Sequence, residues 1–141
     1  MPTSITILSK INPPLRWEPE RGELTEKFLR SKSNDHGPSY DDLVTGDASV
    51  LREAQRILGR CLPPTEPGGC ETGLVVGYVQ SGKTMSFETV ISLAKDNGYG
   101  VVIVFAGTKK NLREQSEDRL TKDLGIDEGD YWYLFSKPAK A

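Results

Sequence analysis

Gly77-Tyr78-Val79-Gln80-Ser81-Gly82-Lys83-Thr84 satisfies the spacing GxxxxGK[ST] without a mismatch, and its neighbours restrict the backbone that can carry it. Before it stands the short β-branched run Leu74-Val75-Val76-Gly77. After it, Phe87, Val90, Ile91 and Ala94 recur on one helical face, and Asn97-Gly98 supplies a stop. The local structure this predicts is a buried strand, a tight glycine turn and an amphipathic helix over Lys83 to Asn97.

The remainder of 47–141 continues the alternation. Val50, Leu51, Ala54, Ile57 and Leu58 lie at helical spacing, with Asp47 as the expected N-cap and Gly59, Pro63 and Pro64 as the stop. Val101-Val102-Ile103-Val104-Phe105 reads as a second strand. It is followed by Thr108 as N-cap of a polar helix carrying Leu112, Ser116, Leu120 and Leu124 four apart, stopped by Gly125. Tyr131 to Phe135 reads as a third strand. Strand and helix in turn predict the α/β class, a parallel sheet with flanking helices. Residues 1–46 lack a sustained period of 2 or 3.6 and read as a poorly structured N-terminal arm, with one short helix near Leu24 to Arg30.

The pattern at 77–84 carries a definite chemistry. Its glycines let consecutive N–H groups, from about Val79 through Gln80, Ser81 and Gly82 to Thr84, face one concavity suited to anionic oxygens. The positive end of the following helix adds to that field. Lys83 supplies a mobile charge for β- and γ-phosphates, and the Thr84 hydroxyl a ligand for the Mg²⁺ that bridges them. ATP with Mg²⁺ is the ligand expected. The alternative, a glycine turn with an exposed lysine, does not call for Lys and Thr directly after the second glycine.

Composition narrows the rest. The chain has 141 residues, room for one ordinary domain, and 18 Lys and Arg against 20 Asp and Glu leave a formal charge of −2. No global basic field draws nucleic acid, so any such contact must be local. No apolar run approaches the roughly 20 residues that span a bilayer, and the first residues lack a signal-peptide pattern, so a cytoplasmic protein is expected. Cys61 and Cys70 have no second Cys or His pair at ligand spacing and read as free thiols, and the single His36 reads as a solvated loop residue.

Two longer stretches, GLVVGYVQSGKT and GYGVVIVFAGTKKNLREQSEDRL, closely resemble the start of the Z-one domain, an endonuclease-type domain of prokaryotic restriction and defence systems. They are more distantly similar to the first motor lobe of superfamily two helicases. The resemblance spans about Asp47 to Leu124 and implies the first part of a RecA-like P-loop NTPase. Gly77 to Thr84 would be helicase motif I. Ala106-Gly107-Thr108 would be motif Ia, with Thr108, Lys109, Lys110, Asn111 and Arg113 touching the phosphates of a DNA strand. On the residues alone, these side chains are equally a solvated helix face.

Hydrolysis needs acids that are missing here. Asp127-Glu128-Gly129-Asp130 follows a helix stop and precedes an apolar run, so it reads as an acidic turn and not as a Walker B box. The chain reads as an amino-terminal fragment without ATP turnover of its own, completed by the rest of the domain or by partner subunits of a restriction system. Two other readings remain, a small P-loop kinase and a non-catalytic nucleotide-binding remnant.

Overall fold

The computed structural model describes residues 14–34, 36–66, 68–75, 83–105, 109–129 and 131–135, with the backbone alone at Lys83. Five α-helices run in order: α1 Glu23–Lys32, α2 Tyr40–Val44, α3 Val50–Leu58, α4 Lys83–Asp96 and α5 Lys110–Leu124. A 3₁₀ turn, Ile126–Glu128, follows α5.

Local signals explain most of these bounds. Ser39 and Asp42 close a reciprocal capping box at α2: the Asp42 N–H donates to Ser39 Oγ at 3.2 Å and the Ser39 N–H to Asp42 Oδ2 at 3.0 Å. Ser49 caps α3 by accepting from the Arg52 N–H at 3.2 Å. The cap expected at Asp47 is thus displaced, and Asp47 instead receives the Arg56 guanidinium, at 2.7 Å on its carbonyl and 3.3 Å on its carboxylate. α4 ends at Asn97-Gly98 as expected. At α5 the stop is Gly125, at φ 63°, a left-handed conformation that side chains with a Cβ rarely adopt.

α4 is the spine. On one side Ala54 and Leu58 of α3 meet Leu93 and Ala94 of α4, with Trp17, Val90 and Tyr99 packed around them. A second cluster joins Phe28 and Leu29 of α1, Leu43 of α2 and Leu51 of α3, flanked by Met85 and Leu124. At roughly 1.5–3 kcal/mol per fully buried large apolar side chain, these two clusters are a large stabilising contribution among the described residues.

Two expectations are corrected here. First, residues 14–46 are not a poorly structured arm: they carry α1 and α2 and much of one core cluster. The short helix expected near Leu24 to Arg30 is α1. Its N-cap, Gly22, has no side chain to offer, and the cap comes from Asp96 at the end of α4. The Asp96 carboxylate accepts from the N–H groups of Gly22 and Leu24 at 3.1 Å each and of Thr25 at 2.8 Å, and from the Thr25 hydroxyl at 2.6 Å. Only glycine admits this approach, since a Cβ at position 22 would lie 2.5 Å from Asp96 Cγ. Asn97 repeats the tie, accepting from the Glu20 N–H and donating to the Glu20 carbonyl, both at 2.9 Å. Residues 1–13 lie outside the described residues.

Second, the described residues contain helices and no strand, so the parallel α/β sheet expected from the alternation is not present. The described parts of the segments expected as buried strands, 74–75, 101–105 and 131–135, carry no ladder and are largely exposed. Leu74 is 88% exposed, Val101 78%, Ile103 72%, Phe105 93%, Tyr133 79% and Phe135 89%. A β-branched apolar run expresses a local preference, whereas a strand exists only when a neighbouring backbone pairs with it. The segments 101–105 and 131–135 instead wall a groove of about 760 Å³ with Leu120 and Leu124 of α5 and Ile91 of α4.

Candidate functional site

The glycine turn Gly77, Val79, Gln80, Ser81 and Gly82 lies outside the described residues, as does Thr108. What the structure places is the helix that follows. α4 starts at Lys83, so Thr84 stands in its first turn, half-buried. The first turns of α1, α2 and α3 carry acidic residues, namely Glu23 and Glu26, Asp41 and Asp42, and Glu53. The first turn of α4 carries none. Its positive end is therefore not offset by a carboxylate of its own, which suits an anionic ligand.

The start of α5 shares this property. Lys109 is its N-cap and makes no side-chain capping bond, and its first turn holds no acid. Lys110 and Asn111 are exposed and Arg113 is half-buried. Lys110 is paired with Glu114 one turn on at 3.6 Å, an exposed contact worth a few tenths of a kcal/mol. Four of the five residues named for a strand contact are thus gathered at one helix end.

For Mg²⁺, the described residues offer the Thr84 hydroxyl at the head of α4 and no group of three or more His, Cys, Asp or Glu side chains able to hold an ion without help. That donor set fits a metal held mainly by phosphate oxygens and water, the habit of Mg²⁺ at nucleotide sites. The described acids of the tetrapeptide, Asp127 and Glu128, do not add to it, and Asp130 lies outside the described residues. Asp127 and Glu128 lie in the exposed 3₁₀ turn, and Glu128 pairs with Lys27 at 3.4 Å. Cys61 and Cys70 are free.

One polar cluster escapes the sequence patterns. Glu88 of α4 is 1% exposed, and its Oε1 has no hydrogen-bond partner. Burial first, and then the neighbouring Asp123 carboxylate, push its carboxyl up to about 7, against a smaller opposing pull from Lys32. Lys32 of α1 pairs with Asp123 of α5 at 2.6 Å, both about one-fifth exposed. No local pattern marks it: α4 packs on α1, α3 and α5, and this packing places its polar side chains Glu88, Thr89 and Ser92 inside.

No protein-family model matches the chain, and neither a curated protein nor a solved structure does. Among the described residues no helix is long and apolar enough to cross a membrane.

Proposed function

We propose that the chain binds ATP with Mg²⁺ through Gly77 to Thr84, as the phosphate-holding segment of a helicase-like ATPase of the Z-one kind, working with partner subunits in a cytoplasmic DNA restriction or defence system. The observation that carries the reading is the unbroken GxxxxGK[ST] pattern joined directly to α4, whose first turn begins at Lys83 and holds no acid. Backbone N–H groups from Val79 to Thr84 receive phosphate oxygens, and Lys83 adds a charge for the β- and γ-phosphates. Thr84 contributes one oxygen to the metal. When bound, Mg²⁺ neutralises the terminal phosphates.

Calorimetric titration tests this reading directly. ATP is expected to bind in millimolar Mg²⁺ and to bind at least about tenfold more weakly in excess EDTA, since the loss of one charged contact costs about 1.5–3 kcal/mol. Absence of binding in both conditions would falsify it.

The basic start of α5 is the proposed DNA contact, with Thr108, Lys109, Lys110, Asn111 and Arg113 meeting strand phosphates. A Lys109, Lys110 and Arg113 triple alanine variant removes three positive charges. Single-stranded oligonucleotide affinity is expected to fall, and the slope of log K against log salt to flatten by about 2, at about 0.7 per contact. An unchanged salt slope would return these side chains to the role of a solvated helix face.

A further inference from the structure

We propose that Glu88 is a proton-operated latch for α5: with its carboxyl protonated it donates a hydrogen bond to Asp123 and holds α5 against α4 and α1, and loss of that proton to water releases the helix. The proposal is independent of nucleotide binding.

The buried apolar anchorage of α5 is small. Leu120 is its one buried residue, with Leu124 partly buried beside the α1–α2–α3 cluster. Polar contacts at its last turn therefore have unusual leverage. Asp123 receives Lys32 from α1 at 2.6 Å on one side and faces Glu88 of α4 on the other. Arg119, one turn earlier on α5, adds a weaker positive charge near Glu88. Lys27 of α1 and Glu128, in the turn after α5, form a second, exposed tie at 3.4 Å.

A second carboxylate is costly to ionise in the buried position of Glu88, beside the half-buried Asp123. Lys32 is the close cation, and Asp123 already holds it. An ionised Glu88 would keep one oxygen, Oε1, without a donor in a site closed to water. A neutral Glu88 lowers that cost, because Oε1 is then an uncharged carbonyl oxygen and the hydroxyl on the other oxygen turns toward Asp123.

The sign follows from the carboxyl's position. Its folded-state value near 7 lies above the ordinary 4.5, so the folded chain keeps a proton that the unfolded chain has released. The latch's contribution is fully present below about 4.5, declines as pH rises, and is lost as pH passes through about 7. The span allows a change of up to roughly 300-fold in the closing equilibrium.

Three measurements on the full chain test the latch. The Glu88 side-chain carboxyl carbon, followed by NMR, is expected to titrate near pH 7. Hydrogen exchange of α5 amides, corrected for intrinsic rates, is expected to speed up by roughly ten- to 30-fold between pH 5.5 and 8.5, while α3 amides change little. Glu88→Gln keeps a neutral donor beside Asp123, and its α5 exchange is expected to be flat over that range. Asp123→Asn gives an independent check, because removing the facing carboxylate is expected to lower the Glu88 midpoint. A Glu88 midpoint below pH 5, equal acceleration in α3 and α5, or the same α5 response in Glu88→Gln would each overturn the proposal.

Discussion

Lys83→Ala is expected to weaken ATP binding by about 30- to 150-fold while the helical fold persists. Removing a charged partner from a phosphate costs about 2–3 kcal/mol, and each 1.4 kcal/mol is a factor of ten in affinity. The fold tolerates the change because Lys83 is the first residue of α4 and alanine is the best helix former. Lys83→Arg separates charge from shape: it keeps the positive charge, but a planar fork replaces a compact ammonium among backbone donors, and partial recovery at most is expected. Calorimetry gives the affinities, and far-ultraviolet circular dichroism confirms the helix content. An alanine variant that binds ATP as tightly as the parent would remove Lys83, and with it the phosphate cradle, from consideration.

Asp96→Ala is expected to lower the unfolding free energy by about 3 kcal/mol, a large share of the roughly 5–15 kcal/mol that holds a typical domain. One carboxylate satisfies three backbone N–H groups at the start of α1 and the Thr25 hydroxyl. Thr25 is fully buried, so its donors have no water to turn to. Losing a helix cap costs about 0.5–2 kcal/mol, and stranding a buried donor about 1–3 kcal/mol. Asp96→Asn keeps one acceptor oxygen and is expected to lose about half as much. Urea unfolding measures both. A loss below about 1 kcal/mol in Asp96→Ala would mean that α1 holds its place through Phe28 and Leu29 alone.

These two residues mark what a linear reading can and cannot reach. Lys83 announces itself, because the glycine spacing, the preceding apolar run and the helix pattern all lie within a few dozen residues. Helices α1, α3, α4 and α5 were legible for the same reason, whereas the five-residue α2 was too short to show a period. The stops at Asn97-Gly98 and Gly125 are local, and so is the apolar spacing of α3. Asp96 was invisible because its partners stand more than 70 residues away, and a cap supplied by another element leaves no trace near Gly22. Glu88 was hidden differently: its burial depends on α1 and α5 both closing over α4. The strands failed on a third ground. Val101 to Phe105 has the composition of a buried strand, but pairing is a property of two segments, and none of the described residues forms a ladder with it.

The open run at 101–105 also bears on how the protein behaves at high concentration. Five consecutive apolar residues, four of them β-branched, carry no charge and no proline to discourage a second molecule. With Phe105 93% and Ile103 72% exposed, this stretch has the makeup of segments that stack into intermolecular cross-β layers. The nearest charges in sequence that oppose such stacking are Lys95 and Asp96 on one side and Lys109 and Lys110 on the other. Colloidal stability of the isolated chain therefore depends on those flanking charges, and salt, by screening them, favours self-association.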